Sequence, residues 1–237
     1  MKTMKNRLAS LVLLSGCALL SSFANAGDNP KDPIEGFNRA MFSVNEGIDT
    51  VFAKPLANAY DVAAPLPVKA AVGNMFGNVA DLFIGVNNGL QGKPADGLSD
   101  IARLLINSTV GIFGLFDVAS EMGFTKNEED FGQTFGRWGV SDGAYVYLPI
   151  FGPRTVRDTV GLAFDMAADP VNQINSTAVR NSAVFVRFVD VRASLLPSDK
   201  VVEEAALDKY SYVRDAYLQR RRSQIYDGRP PRQADDY

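Results

Sequence analysis

The sequence predicts an all-α protein with a single folded domain. Three observations support this prediction. Apolar residues recur at helical spacing through most of the chain, Gly or Pro separates these segments, and no run of 18 or more apolar residues follows residue 17. The last observation predicts that no helix spans a membrane. The helical pattern covers residues 32–222, which is long enough for one domain with a substantial core.

The N-terminus has the features of a bacterial lipoprotein signal peptide at residues 1–17. Three basic residues precede a short apolar stretch at residues 8–14, and the sequence Leu-Ser-Gly then leads to Cys17. This ending matches a lipobox, in which the cysteine is acylated and becomes the mature N-terminus. Because Cys17 is the single cysteine of the chain, we expect it to be the lipid anchor.

A second cleavage site leaves an alternative open. Ala24-Asn25-Ala26 fits an ordinary signal peptidase, and cleavage there would release a soluble periplasmic protein. In the lipoprotein interpretation, residues 18–31 instead form a flexible tether. Ala18 follows the cysteine, where an Asp would favour retention in the inner membrane, so delivery to the outer membrane is expected.

The first half of the domain is predicted to be a series of short helices. Asp32 and Pro33 resemble an N-cap followed by a first-turn proline, and Lys54-Pro55 should end that helix. A short piece should follow up to Tyr60. The later segments with helical spacing are residues 68–79, 81–91 and 95–110. Residues 111–116 are broken by glycine, and residues 126–130 should form a solvated turn.

The second half contains a segment of different composition. Residues 131–153 interleave glycines with aromatic residues, which indicates tight turns and close backbone approaches. A short strand at residues 145–150 is the alternative to an entirely helical chain. Helical spacing resumes at Thr155 and predicts late helices around residues 185–196 and 199–222, followed by a disordered tail at residues 223–237.

Several motifs are best explained by local structure. The basic run at residues 220–222 is interpreted as favourable charge at a helix C-terminus, with contact to anionic lipid headgroups as the alternative. Two Asn-Ser-Thr sequences, at residues 107–109 and 175–177, should cap or end helices. The acidic residues 128–130 lack the spaced oxygen ligands of a cation site.

Composition excludes several classes of function. The chain has no histidine, which removes the usual catalytic triads, histidine metal sites and the common neutral-pH acid–base residue. Gly139-Val140-Ser141-Asp142-Gly143 fits a nucleophile motif, but without a histidine partner we interpret it as a turn. No catalytic residue, metal site or cofactor is predicted, and the net charge of −3 gives no reason to expect nucleic-acid binding.

Several stretches, in their order along residues 32–222, resemble the VacJ/MlaA family of outer-membrane lipoproteins. The matching stretches are Asp32-Pro33-Ile34-Glu35-Gly36-Phe37-Asn38-Arg39-Ala40-Met41-Phe42, Ile106-Asn107-Ser108-Thr109, Glu129-Asp130-Phe131-Gly132-Gln133-Thr134, Trp138-Gly139-Val140 and Tyr212-Val213-Arg214-Asp215-Ala216-Tyr217-Leu218-Gln219-Arg220. Ala144 departs from the family pattern, where proline is expected, so the turn there should be less rigid.

The resemblance implies a ring-like all-α lipoprotein that lies in the inner leaflet of the outer membrane around an amphipathic channel. Such a protein removes misplaced phospholipids from the outer leaflet, passes them to a soluble periplasmic carrier and associates with porin trimers. The carrier delivers them to an inner-membrane transporter. By family analogy, Gly139 and Gly143 are hinges of a loop that controls lipid passage, and Trp138 and Val140 belong to this loop.

Two other classes of function remain open at the level of the sequence. One is a scaffold lipoprotein that organises porins or other envelope partners without transporting lipid. The other is a soluble periplasmic ligand-binding protein cleaved after Ala26.

Overall fold

The computed structural model describes residues 29–232. The predicted anchor Cys17, the rival cleavage site at Ala26 and residues 233–237 lie outside this range. Within it, none of the helices combines the length and the apolar character needed to cross a membrane. The predominantly helical fold confirms the predicted fold class.

The chain begins with one long helical segment where two helices were expected. Helix α1 spans Glu35–Ile48, continues through a π-helical turn at Asp49–Ala53 and leads directly into α2 at Lys54–Ala63. The predicted end at Lys54-Pro55 was therefore wrong. Proline lacks the N–H that continues a regular helix, but the wider turn just before Pro55 accommodates it, and the Lys54 N–H donates to the Asp49 carbonyl.

Asp32 does not cap the first helix as predicted, because it is part of the core. It is fully buried and accepts hydrogen bonds from the Asn38 amide at 2.7 Å and from the Tyr210 hydroxyl at 2.5 Å. Arg214 approaches the same carboxylate at 3.2 Å. The N-terminal segment is thereby fastened to a helix near the other end of the chain.

Helices α3 (Leu66–Leu90) and α4 (Pro94–Thr109) form a tight helical hairpin. The predicted helices at residues 68–79 and 81–91 are one continuous helix, α3. The hairpin depends on glycine, since a Cβ at Gly85 would stand 2.9 Å from the carbonyl oxygen of Gly97. Gly92 supplies the left-handed conformation of the turn, with φ of 81°.

Two short helices and a β-hairpin follow. Helix α5 spans Val118–Glu121 and α6 spans Phe131–Arg137. Strands β1 (Tyr145–Leu148) and β2 (Gly152–Thr155) pair antiparallel, with Tyr145 opposite Thr155. The short strand that the sequence left as an alternative is therefore present, and the aromatic residues 145 and 147 explain it by their strand propensity.

The remaining elements complete the helical fold. Helix α7 is Val156–Ala168, a 3₁₀ turn is Pro170–Gln173, α8 is Thr177–Ser194, α9 is Leu196–Ala205 and α10 is Lys209–Ile225. Thr155 and Ser176 cap α7 and α8, as expected from helical spacing and from the second Asn-Ser-Thr sequence. The single helix predicted at residues 199–222 was wrong, because the chain breaks after α9 and Asp208 caps a new helix. Helix α10 also continues past residue 222.

The packing contacts close into a ring. Helix α1 contacts β1, β2 contacts α10, α10 contacts α6, α6 contacts α3, α3 contacts α8, and α8 contacts α2, which is continuous with α1. An apolar cluster of Tyr145, Tyr147 and Tyr210 stabilises this closure where α1, the hairpin and α10 meet. A closed circuit of helices leaves space at its centre.

The distribution of apolar side chains is unusual for a water-soluble domain. Large apolar residues are exposed around the molecule, including Val62 at 88% and Phe113 at 81%. Buried positions hold many polar groups, among them Asp81, Asn88 and Asp100. Exposed apolar surface on this scale marks contact with a membrane or another protein, whereas isolated surface apolar residues do not.

Candidate functional site

The space at the centre of the ring is a cavity of about 990 Å³. Helices α3, α7, α8 and α10 line it together with α6, the hairpin and the segment that precedes α6. The walls come from elements of the closed circuit, from α7, which packs against α6, and from the segments that precede α6 and follow α7. The cavity is therefore a consequence of the ring and is the candidate functional site.

One part of the cavity wall is apolar. Helix α3 contributes Phe76, Phe83 and Ile84, and α7 contributes Leu162 and Met166. Phe76 and Phe83 are seven residues apart, and Leu162 and Met166 are four apart, so each pair shares one face of its helix. Such a wall suits hydrocarbon chains.

Another part of the wall carries charged side chains, most of which are paired. Lys126 lies 2.6 Å from Asp81, and Arg187 lies 2.6 Å from Asp169. Pairing lowers the cost of holding charges beside an apolar wall. The cavity is therefore amphipathic, with polar and apolar faces in one space.

Arg221 organises the largest charged cluster. Its guanidinium binds Asp130 at 2.5 and 2.7 Å and approaches Asp158 at 3.1 Å, while the Tyr217 hydroxyl donates to Asp158 at 2.6 Å. Burial alone would raise the pKa of both carboxyl groups, but Arg221 outweighs it, together with the Gln133 N–H at Asp130 and with Tyr217 and Arg157 at Asp158, and each pKa lies below its usual range. Both groups are consequently ionised at neutral pH.

The interpretation of residues 126–130 as a solvated turn was wrong. Lys126 and Asp130 belong to the ion pairs just described, and Glu129 lies 2.8 Å from Lys93 and accepts a hydrogen bond from Gln91. Glu128 is the exposed residue among the three acidic ones. Within residues 29–232, no group of acidic or other ligating side chains is arranged to hold a metal ion.

Sequence reasoning also missed Arg221, which was interpreted as part of a favourable basic run at a helix C-terminus. A usable signal was present, because Tyr210, Arg214, Tyr217 and Arg221 recur at spacings of four, three and four. This spacing places them on one face of α10, and that face packs inward. The charge of the side chain concealed the pattern.

The predicted hinge loop lies beside a second space and not in the wall of the central cavity. Gly139 and Val140 line this second cavity, of about 760 Å³, with residues of α10. Gly139 and Gly143 have φ of 88° and 68°, a conformation that other residues resist. Hydrogen bonds hold both ends of the loop: the Trp138 indole N–H donates to the Leu90 carbonyl at 2.9 Å, and Arg157 pairs with Asp142.

The Gly-x-Ser-x-Gly sequence has none of the geometry of a nucleophile elbow. Ser141 lies in the loop between α6 and β1, with no strand before it and no helix directly after it. The structure therefore agrees with its interpretation as a turn.

An all-α ring with an amphipathic cavity and an apolar exterior is typical of proteins that lie at a membrane and accommodate amphipathic molecules. The MlaA lipoprotein family model matches residues 30–224. The chain belongs to the MlaA lipoprotein family, which confirms the resemblance found in the sequence.

Known relatives agree with this assignment. The intermembrane phospholipid transport system lipoprotein MlaA of Shigella flexneri is 34% identical over 224 residues, covering 92% of this chain and 88% of that protein. The protein of the same name from Escherichia coli K12 is 34% identical over 226 residues, with the same coverage. A solved structure described as the structural basis for maintenance of bacterial outer membrane lipid asymmetry has a TM-score of 0.72 at 32% identity, and the match covers 82% of this chain and 98% of the other.

Proposed function

We propose that this chain is the lipoprotein component of a phospholipid transport system and removes misplaced phospholipids from the outer leaflet of the outer membrane. The amphipathic cavity enclosed by an outwardly apolar ring is the observation that carries this proposal. A phospholipid headgroup that crosses hydrocarbon without polar partners costs several kcal/mol. A polar wall inside an apolar ring lowers that barrier.

The chemistry of transport requires no bond to be made or broken. Most charged groups of the cavity are paired with one another, and their chemistry suits a polar lining. We therefore propose a non-enzymatic role. The relatives named above are components of a phospholipid transport system, which supports the same proposal.

We propose that Cys17 carries the lipid anchor and that the anchor holds the ring in the inner leaflet of the outer membrane. Amphipathic helices that do not span a membrane bind at its interface, and an acyl chain strengthens such binding. Replacement Cys17→Ala should abolish labelling with a fatty-acid probe. Unchanged labelling would favour cleavage after Ala26 and a periplasmic protein.

Porin trimers and a soluble periplasmic carrier are the partners that we propose from the family. Porins provide an apolar outer surface at the depth of the membrane, which complements the exposed apolar side chains of the ring. A carrier at the periplasmic face would accept lipid that leaves the cavity. Co-purification of a porin with the full-length protein tests the first of these partners.

We propose that the loop from Trp138 to Gly143 controls the passage of lipid. Its two glycines have a backbone conformation that proline, with φ fixed near −65°, does not adopt. Replacing Gly139 and Gly143 with proline should therefore sensitise cells to SDS with EDTA while protein levels stay normal. Full resistance in this variant would contradict the hinge role.

A deletion strain tests the proposed function as a whole. Phospholipid should accumulate on the surface of cells that lack the protein, and the wild-type gene should reverse this. The Cys17→Ala protein should not restore the normal surface, because it lacks the proposed anchor. An unchanged cell surface in the deletion strain would favour a scaffold that does not transport lipid.

A further inference from the structure

Arg154 lacks the ion pair that three other cations of the central cavity form. Lys126, Arg187 and Arg221 each form ion pairs with a carboxylate at 2.5–2.6 Å. Across residues 29–232, by contrast, the Arg154 side chain has no ion pair or hydrogen bond, and its Nε is buried without a partner. A buried donor without a partner is costly, and the cost is removed when a ligand supplies an acceptor.

The position of Arg154 directs it into the cavity. It lies in β2, where successive side chains point to opposite faces of the hairpin. Thr155 is buried on the face that packs in the core, while Arg154 lines the cavity. A guanidinium group has a planar fork of donors that matches the oxygens of a phosphate group.

Asp165 supplies the opposite charge on the neighbouring wall. This residue of α7 lines the same cavity, and its Oδ1 accepts the Phe131 N–H at 3.1 Å. No cation in the described part of the chain forms an ion pair with it. Burial, and to a lesser degree the charge of Asp130, raises the pKa of Asp165 to about 6, whereas the Phe131 N–H, Arg221 and Arg154 oppose the rise.

We propose that Arg154 and Asp165 form a headgroup site for a zwitterionic phospholipid. The Arg154 guanidinium binds the phosphate, and the Asp165 carboxylate binds the ammonium. Leu162 and Met166 lie beside Asp165 on α7 and provide apolar contacts for the acyl chains. This inference rests on the proposed function, because it identifies the class of lipid that the same cavity accepts.

The other carboxylates of the wall are less suited to the ammonium. Glu128 is exposed, and Asp190 already accepts the Tyr60 hydroxyl at 2.9 Å. Asp165 is half-buried, and the positive charge of Arg154 opposes the rise of its pKa. The pair therefore offers opposite charges to one headgroup within a single cavity.

Photo-crosslinking tests the site directly. The full-length protein would carry a benzophenone amino acid at position 162 and would be reconstituted into vesicles with equal amounts of phosphatidylethanolamine and phosphatidylglycerol. After illumination, mass spectrometry would identify the headgroup of each cross-linked lipid. The parent protein should capture more phosphatidylethanolamine than phosphatidylglycerol.

Substitutions at Arg154 and Asp165 test binding of the phosphate and of the ammonium separately. Arg154→Gln should reduce capture of both lipids about tenfold or more, as expected for loss of a charged hydrogen bond. Arg154→Lys should retain part of the capture. Asp165→Asn should reduce capture of phosphatidylethanolamine and spare phosphatidylglycerol. Arg137→Gln is the matched control, because Arg137 is exposed and lies outside the wall of this cavity, and capture should not change.

The outcomes distinguish this inference from the proposed function. Absence of lipid capture by the parent protein would contradict both. If Arg154→Gln captured as much lipid as Arg137→Gln, the headgroup site alone would be overturned. Strong competition by added inorganic phosphate would indicate a site for free anions and would also overturn it. Melting temperatures of the variants would establish that each remains folded.

Discussion

Arg221 is the cation on which two carboxylates of the ring depend, and its removal should be severely destabilising. The side chain of Arg221 is 8% exposed, that of Asp158 is fully buried and that of Asp130 is 32% exposed. Removing one partner of a buried ion pair costs about 3–5 kcal/mol, because the remaining charge is left without compensation. Arg157 also contacts Asp158 at 3.0 Å, and Asp130 is partly solvated, so neither carboxylate is left wholly without compensation. We therefore expect Arg221→Met to lower the free energy of unfolding by about 3 kcal/mol, the lower end of that range.

Thermal unfolding of the full-length protein in detergent, followed by circular dichroism, measures this loss. For a chain of this size about 3 kcal/mol corresponds to a fall of about 6–12 °C in the melting temperature. Arg220→Met is the matched control, because this neighbour is exposed, and its effect should stay within about 0.5 kcal/mol. Equal melting temperatures for the two variants would refute the proposed dependence on Arg221.

The same variant has a predicted pH dependence. In the parent protein Arg221 holds the pKa of Asp130 and Asp158 below the unfolded value, so their contribution is present above about pH 4 and is lost as pH falls through the folded pKa. Without Arg221 burial should raise both pKa values above the unfolded value. The deficit of Arg221→Met should then shrink as the pH falls from 7 to 5. A deficit that grows over this range would contradict the electrostatic explanation.

Two further predictions concern packing and membrane contact. Gly161→Ala should destabilise the protein by about 1–3 kcal/mol, because the new Cβ would stand 2.4 Å from the Gly132 backbone N, whereas Gly47→Ala, with nothing within 4 Å, should stabilise it slightly in the same unfolding measurement. In a Cys17→Ala background, Phe113→Asp should weaken flotation with vesicles about tenfold, since Phe113 is 81% exposed. Unchanged flotation would place this residue away from the membrane.

Much of the helical fold follows from local sequence signals. The spacing of apolar residues, the prolines at the start of α3 and α4, and the caps at Thr155 and Ser176 all predict elements that the structure contains. Helix existence is a local property, so one sequence suffices to predict it. The predicted helix boundaries were wrong where a local signal did not determine the structure. Pro55 was expected to end a helix, but a π-helical turn keeps the helix continuous there.

The cavity and its charged cluster were less accessible to sequence reasoning. Asp32 and Asp130 stand where helix caps or solvated turns are common, and only tertiary contacts reveal that Asp32 binds Tyr210 and that Asp130 binds Arg221. These partners are 178 and 91 residues apart in the chain. Pairing over such distances depends on the closure of the ring, which no local pattern encodes.

The exposure of apolar side chains was also not predictable from the sequence pattern. A helical stripe of apolar residues predicts a buried face, yet Leu98 and Leu105 of α4 are 70% and 60% exposed. In water such faces would be expected to pack inward, so the sequence pattern alone assigns them to a core. A membrane as the surrounding medium reconciles the pattern with the exposure.

A variant that fills the cavity tests most directly whether phospholipid passes through the ring. Ala80 lines the cavity, so Ala80→Trp should obstruct it. Val62 is exposed and does not line the cavity, so Val62→Trp adds the same indole side chain elsewhere and serves as the control. Phospholipid on the cell surface would be measured in a deletion strain that expresses each variant at the level of the parent. Phospholipid should accumulate on the surface with Ala80→Trp, and the surface should be normal with Val62→Trp. A normal surface with Ala80→Trp would contradict passage of phospholipid through the ring.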